Sequence, residues 1–340
     1  MQKLLHLLFA GAFSLYIPAQ SATSVELIGV DGTFPLPIYN KWFEEYGTSH
    51  RGVRFHYLPT GSAEGISNAS SGRADFGARD VPMKDEGLST ASTKLLLLPS
   101  VLGRSRTDLQ FAGHHTGTAL HARSACGIYL GRIRNWNDPA IAGINRGSSL
   151  PHQRIEVIYR GDPSGTSYIW TEFLSKVSGE WKSQVGHGTT VKWPAGEPSY
   201  RGGGNLAHLV KETPNSIGYV ELTFALQNNL QFGSIRNAAG KVIKADLKSL
   251  SAAAASKAGS IRGEDFRVSL TNASGESSYP VASFTWLLVP KNSLDPAKRA
   301  ALKDFLQWML TDGQGFAADL GYARLPNKLI KEELAAVGKL

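Results

Sequence analysis

Hydrophobic and polar positions follow one another along the chain in a repeated strand–turn–helix order. Apolar residues at alternate positions predict strands over 25–30, 53–58 and 74–78. After short polar turns, helical spacing predicts a helix over 38–46 and a second helix start over 66–71. Strands that alternate with helices predict an α/β fold with a mixed or parallel sheet, and in such sheets ligands bind beyond the carboxyl ends of the strands.

The same alternation continues through the rest of the chain. The patterns predict further strands over 155–159, 216–221 and 281–289, and helices over 168–174, 247–257, 296–310 and 313–320. Thr33, Ser62 and Asp80 all lie just after predicted strands of the first region. These side chains are therefore expected at one edge of a sheet.

The loop between the strand over 155–159 and the helix over 168–174 carries the clearest candidate chemistry. It begins with Arg160 and continues through Ser164, Gly165 and Thr166. A polar turn that leads into a helix directs backbone N–H groups toward an anion, and the hydroxyls and the guanidinium add donors. The pattern predicts a site for a phosphate-sized oxyanion, although each serine or threonine alone is also typical of a helix N-cap.

The first 22 residues differ from the remainder. A lysine near the start precedes an apolar run over 4–17 and then small residues, which is the pattern of a secretory signal peptide cleaved after Ser21 or Ala22. The run is too short for an uncleaved anchor, and no later segment is apolar enough to span a membrane. We expect a soluble periplasmic protein.

Composition narrows the possible functions. The formal net charge is +8, but the basic residues are scattered, which argues against nucleic-acid binding. Cys126 is the single cysteine, so no intrachain disulfide forms. The histidines at 114, 115 and 121 have neither ligand spacing nor accompanying carboxylates, so no metal site is predicted. Nucleophile-elbow, phosphate-loop and zinc-protease motifs are missing, and we expect neither an enzyme nor a cofactor.

Several motifs together resemble a known family. They stand in the family's order at 32–35, 39–42, 61–62, 75–80, 130–139, 160–166, 191–194 and 216–221. With them the chain resembles, from about residue 27 to 325, the phosphate-binding proteins of bacterial high-affinity phosphate importers. The resemblance implies a two-lobed periplasmic binding protein fold of type II, with mixed sheets flanked by helices and a ligand cleft between the lobes.

The resemblance also implies boundaries and partners. Lobe 1 would comprise 23–100 plus 278–340, and lobe 2 would comprise 101–277. The implied protein is a monomer that binds inorganic phosphate and delivers it to a membrane-embedded permease with its ATPase. Two alternatives stay open, namely a receptor for another oxyanion and a secreted phosphate-binding relative that is not coupled to transport.

The family's ligand positions fall on eight residues of this chain. They are Thr33, Phe34 (backbone), Ser62, Asp80, Arg160, Ser164, Gly165 (backbone) and Thr166, with Asp162 orienting Arg160. Phosphate at neutral pH keeps at least one proton, which Asp80 can accept in a hydrogen bond. Fully ionised sulfate has no such proton, so its oxygen would face the carboxylate unpaired, at a cost of roughly 10³- to 10⁵-fold in affinity.

This chain departs from the family pattern at Arg79, where the family usually has a small residue. We favour a side chain directed to solvent. The alternatives are that it pairs with Asp80 or that it adds a donor to the anion, and either would alter the discrimination against sulfate.

A second departure covers 103–126, a polar stretch without periodicity where the family has a crossover strand, a loop and a helix. Back-translation within codon degeneracy, read one base later, restores apolar strand, turn and helix patterns that join Gly127 in register. We therefore hypothesise that 103–126 is translated out of frame between two compensating frameshifts. The nucleotide sequence tests this hypothesis, which fails if the shifted frame does not encode the restored pattern. Polar sequence in place of a buried strand endangers folding.

Overall fold

The computed structural model describes residues 24–31, 35–59, 68–69, 71–102, 110–112, 118–200, 202–261, 263–292 and 294–340. Its strands are β1 Val25–Asp31, β2 Val53–Leu58, β3 Phe76–Arg79, β4 Leu95–Leu102, β5 Gln110–Ala112, β6 Ala119–Leu120, β7 Glu156–Arg160, β8 Glu197–Ser199, β9 Ser216–Val220, β10 Ser234–Arg236, β11 Val242–Lys244 and β12 Phe284–Pro290. Strands and helices alternate, so the predicted α/β class is confirmed.

The helices lie between these strands and after the last one. They are α1 Leu36–Ser49, α2 Asp85–Ser89, α3 Ala122–Tyr129, α4 Pro139–Ala142, α5 Gly165–Val177, α6 Gly179–Gln184, α7 Gly202–Glu212, α8 Leu222–Gln227, α9 Leu247–Lys257, α10 Pro296–Leu310 and α11 Asn327–Val337. The helix predicted over 313–320 is wrong as an α-helix, because Asp312–Phe316 forms a 3₁₀ turn followed by further turns. Glycines at 313 and 315 disfavour a longer helix there.

The first lobe is built on a five-stranded mixed sheet with the order β2-β1-β3-β12-β4. β1 runs parallel to β2 and β3, whereas β12 runs antiparallel to β3 and β4. β12 comes from late in the chain, so the chain returns to this sheet after building the rest of the molecule. The carboxyl end of β3 leads directly into Asp80.

The second lobe is built on a four-stranded sheet with the order β5-β9-β7-β8, beside a small sheet of β11, β10 and β6. β7 runs parallel to β8 and β9. The carboxyl end of β7 is Arg160, and α5 begins a few residues later. Each lobe therefore directs the end of a central strand toward the cleft. The lobe boundaries at 100, 101, 277 and 278 stay predictions.

Within the segment 103–126, the structure describes residues 110–112 and 118–126, and both pieces contain regular structure. β5 pairs antiparallel with β9 at the edge of the second sheet. α3 buries Ala125, Cys126, Ile128 and Tyr129, the side of the helix that faces the core. Residues 103–109 and 113–117, including His114 and His115, lie outside the described residues, and the frameshift hypothesis stays a prediction.

Candidate anion-binding cleft

α5 begins at the loop that the sequence singles out. Ser164 has extended backbone angles, and its side-chain oxygen accepts a hydrogen bond from the N–H of Ser167 at 3.3 Å, so it is the N-cap. Ile169, Trp170 and Phe173 fix the helix by burying its inner face. The cap uses Ser164 only as an acceptor, which leaves its hydroxyl hydrogen for an anion at the helix N-terminus.

Arg160 is held in a defined orientation by its neighbour two residues on. Its Nε and Nη2 donate to Oδ1 and Oδ2 of Asp162 at 2.7 and 2.6 Å. The arginine side chain is only 5% exposed. Burial raises the pKa of Asp162, but the hydrogen bonds from Arg160 and the backbone, together with the charge of Arg160, lower it more, so this carboxyl has a pKa below its usual value. The forked pair leaves the Nη1 hydrogens for another acceptor.

Tyr219 on β9 ties the end of β7 to the start of α5. Its hydroxyl oxygen accepts from the N–H of Arg160 at 3.0 Å and lies 2.7 Å from the hydroxyl of Ser167. Complete burial raises the pKa of the tyrosine, so the phenol stays neutral. The strand end, the guanidinium and the helix N-terminus are therefore fixed relative to one another before any anion arrives.

Asp80 supplies a carboxylate from the first lobe. It is fully buried, and the hydroxyl of Thr285 on β12 donates to its Oδ1 at 2.8 Å. The other oxygen, Oδ2, faces α5, because a Cβ built on Gly165 would lie 3.5 Å from it and 3.3 Å from the Asp80 Cβ. The two lobes thus touch at the helix N-terminus, and a side chain at Gly165 would crowd this contact.

Thr166 makes a contact that the sequence does not suggest. Its hydroxyl donates to Oε1 of Glu221 at 2.8 Å, inside the second lobe. Glu221 follows β9 and is 2% exposed. The single hydroxyl hydrogen of Thr166 is thereby directed away from a ligand, whereas its backbone N–H remains at the helix start. Glu221 is a site residue that sequence reasoning missed, because 55 positions separate the pair.

The structure brings together five of the eight predicted ligand residues, with Asp162 beside them: Asp80, Arg160, Ser164, Gly165 and Thr166. Thr33, Phe34 and Ser62 lie outside the described residues, as do residues 66, 67 and 70 of the helix start predicted at 66–71, whereas residues 68 and 69 are helical. Residues 32–34 directly follow β1 in the chain, and residues 60–67 begin two positions after the end of β2. The assignment of these three residues to the cleft stays a prediction.

Arg79 corrects one expectation. The side chain was expected to be directed to solvent, but the residue is only 9% exposed. All four residues of β3 are buried, and the strand lies inside the sheet between β1 and β12. Arg79 lines a cavity between the lobes together with Tyr168 of α5.

The structure also bears on two other candidate groups, the Cys126 thiol and a metal site, within the described part of the chain. Burial raises the pKa of the Cys126 thiol to about 12, so it is not a reactive thiolate. Among the described residues, no cluster of three or more His, Cys, Asp or Glu side chains is arranged for a metal ion. The described helices include none with the length and apolar character needed to cross a membrane.

A family model and curated relatives match most of the chain. A family model described as a PBP superfamily domain matches residues 18–313. A protein of Pasteurella multocida named phosphate-binding protein PstS is 38% identical over 330 residues, which is 97% of this chain and 93% of that protein. A protein of the same name from Xylella fastidiosa strain Temecula1 is 36% identical over 92% of this chain and 85% of its own length.

Solved structures with the same fold are more distant in sequence. A high-affinity periplasmic phosphate-binding protein, PfluDING, solved with bound phosphate, superposes with a TM-score of 0.70 at 20% identity, covering 92% of this chain and 93% of the other. A substrate-binding protein of a phosphate ABC transporter from Clostridium perfringens, described as putative and holding phosphate, gives 0.61 at 18% identity and covers 89% and 100%. These likenesses establish the two-lobed architecture.

Proposed function

This chain belongs to the PBP superfamily and, within it, to the PstS phosphate-binding proteins, and we propose that it binds inorganic phosphate in the periplasm and delivers it to an ABC-type import permease. The observation that carries the proposal is the approach of Asp80 to the α5 N-terminus beside the Arg160–Asp162 pair. The second-lobe wall supplies charge and donors, and Asp80 of the first-lobe wall supplies a fixed acceptor.

The ligand set comprises Thr33, Phe34, Ser62, Asp80, Arg160, Ser164, Gly165 and Thr166, with Asp162 in support. Arg160, the α5 amides and the Ser164 hydroxyl provide attraction. Thr166 contributes its N–H, and its hydroxyl only where Glu221 releases it. A dissociation constant near ~1 µM requires about 8 kcal/mol, which a dozen or so such hydrogen bonds in a closed cleft can supply.

Selectivity for phosphate follows from Asp80. Thr285 occupies one carboxylate oxygen, and the second faces the helix N-terminus where the anion binds. A protonated phosphate oxygen donates to that second oxygen, whereas fully ionised sulfate presents only acceptors to it. The resulting unpaired contact in a buried site rejects sulfate.

The protein acts as a receptor and not as an enzyme. A nucleophilic serine needs a base that takes its proton, and the hydrogen-bond partners described for the Ser164 and Ser167 hydroxyls are the Ser167 amide and the neutral phenol of Tyr219. The mature monomer, released by cleavage after Ser21 or Ala22, would carry phosphate between its lobes, which comprise 23–100 plus 278–340 and 101–277. The permease and its ATPase then take up the released ligand.

Isothermal titration calorimetry on the purified mature protein tests the proposal. We expect phosphate to bind one site per chain at or below ~1 µM, and a thousandfold excess of sulfate not to displace it. Arsenate, which also keeps a proton, is expected to compete. Equal competition by sulfate would indicate a receptor for oxyanions in general, and turnover of a phosphate ester would contradict the receptor function.

A further inference from the structure

The start of α7 contacts two acidic residues that support the anion cradle of the second lobe. A Cβ built on Gly203 would overlap Oε2 of Glu221 and lie 2.9 Å from its Cδ, so the carboxylate occupies the space that a side chain would fill. Burial raises the pKa of Asp162, and the N–H of Gly202 is one of the donors whose hydrogen bonds lower it. These contacts therefore join α7 to both acidic groups.

Glu221 connects the start of α7 to the start of α5. Its Oε1 accepts the hydrogen bond from the Thr166 hydroxyl at 2.8 Å, and the two residues are 2% and 1% exposed. Thr166 is the second residue of α5, so its N–H is one of those that an α-helix leaves without an acceptor in its first turn. The buried side-chain bond ties this turn to the end of β9.

The end of β9 and the start of α7 together hold the donors of the cradle. Tyr219, two residues before Glu221, accepts from the N–H of Arg160, and Asp162 orients the Arg160 guanidinium. Glu221 holds Thr166 in the same way from the other side of α7. Donors that are fixed before an anion arrives lose less conformational freedom when it binds, and this improves affinity.

We propose that Glu221 is a positioning residue for phosphate, which is seated in the gap at Gly203 and acts through the hydroxyl of Thr166 on the first turn of α5. Without this partner the Thr166 side chain would be free to change rotamer, and the turn would lose its link to β9. The inference deepens the proposed phosphate-binding function and rests on it. It predicts that displacing the Glu221 carboxylate weakens phosphate binding although every ligand residue and every charge is kept.

Gly203→Ala displaces the carboxylate without changing the charge of the protein. The methyl group would overlap Oε2 and approach the Phe224 ring at 3.0 Å, so Glu221 must move away from Thr166. We expect the phosphate dissociation constant, measured by calorimetry, to rise roughly tenfold. Circular dichroism checks that the variant is folded.

Gly204→Ala is the matched control on the same helix. Its methyl group would contact the same Phe224 ring at 3.5 Å or more, which is an ordinary separation, and the gain in helix propensity is equal. The control should bind phosphate as the native protein does. Equal weakening in both variants, or tighter binding by Gly203→Ala, would overturn the inference.

Thr166→Val separates positioning from a general effect on the lobe, because valine cannot donate to Glu221. We expect this variant to bind phosphate more weakly, and Gly203→Ala to add little in its background, since the bond through which it acts is already absent. A Gly203→Ala effect of the same size with threonine and with valine would show that the methyl group acts by another route, and would overturn the inference.

Glu221→Gln and Glu221→Met form a second pair, which serves if Gly203→Ala does not fold. Both remove the same charge, but glutamine keeps a side-chain oxygen that can accept from Thr166. We expect glutamine at this position to give several-fold tighter phosphate binding than methionine, and equal dissociation constants would overturn the inference. Failure of the native protein to bind phosphate would contradict the proposed function and with it the inference, a result that is recognised without any variant.

Discussion

The second-lobe wall of the cleft differs from the first-lobe wall in the groups that it presents to a ligand. The second lobe offers the Arg160 guanidinium, the α5 amides and the Ser164 hydroxyl, which are all donors. The described part of the first-lobe wall offers the buried carboxylate of Asp80, which is an acceptor. The difference teaches that, in the proposed site, the charged attraction comes from the second lobe, whereas the selection for a protonated oxyanion comes from Asp80 of the first.

Arg160→Met removes the main attraction and should have the largest effect. We expect the phosphate dissociation constant to rise roughly a thousandfold, because a charge-assisted donor is lost and Asp162 is left beside the anion without its partner. Calorimetry measures the loss, and circular dichroism checks the fold. Arg160→Lys should recover only part of the affinity, since a lysine cannot form the forked pair.

The matched control for this change is Arg132→Met in the same lobe. Arg132 is 64% exposed and pairs with Glu180 on the surface, so its loss changes net charge equally without touching the cleft. Similar losses in both variants would mean that general charge, and not the oriented guanidinium, attracts phosphate.

Asp80→Asn tests the selecting wall. The amide oxygen can still accept from Thr285, but the other end presents donors in place of an acceptor. We expect phosphate to bind roughly a hundredfold more weakly and sulfate to bind more strongly than in the native protein, so that the ratio of the two dissociation constants falls. Competition calorimetry measures this ratio.

Glu26→Gln serves as the control for the lost carboxylate, because Glu26 lies on β1 of the same sheet and is 56% exposed. It should leave the ratio unchanged. A variant at Asp80 that loses affinity for both anions in equal proportion would show that the carboxylate shapes the site without selecting the ligand.

Gly165→Ala acts where the two walls meet. The added methyl group would lie 3.3 Å from the Asp80 Cβ and 3.7 Å from a Val81 methyl, so the lobes must separate slightly to admit it. We expect roughly tenfold weaker phosphate binding from this crowding. The melting temperature without ligand should change little, because the contact joins the lobes and is not part of either core. Unchanged affinity would show that the walls need not approach this closely.

The sequence allows the second-lobe wall to be predicted better than the first. Arg160, Asp162 and Ser164 lie within one short loop, where the spacing along the chain determines which side chains can form hydrogen bonds with one another. Asp80 depends on Thr285, which lies 205 positions away, and Thr166 depends on Glu221. The burial of Arg79 is not predicted either, because residues distant in sequence, such as Tyr168 and His187, lie around the same cavity. Such long-range contacts leave no periodic signal in a single sequence.

Among the strands and helices, too, those with a local sequence pattern were predicted and those that depend on the rest of the fold were not. The alternating strands and the amphipathic α10 were predicted, whereas β4 was not, because the continuous apolar run over 95–98 has no alternation. The segment 103–126 is the extreme case. Its β5 and α3 are paired and packed by the rest of the fold, although its own pattern predicts neither.

Asp162→Asn should have the smallest effect on the cleft, because it removes orientation and leaves the attracting charge in place. We expect roughly fivefold weaker phosphate binding. Burial raises the pKa of Asp162, but the hydrogen bonds from Arg160 and the backbone and the charge of Arg160 together hold the folded-state pKa below its usual value of 3.8. The pair therefore stabilises the protein above that pH, and the stabilisation is lost as the pH falls through the lower, folded value. The native protein should therefore unfold at a higher temperature than the variant at pH 7, and this difference should shrink below about pH 4. A difference that stays constant across this range would show that Asp162 supports Arg160 by shape and not by charge.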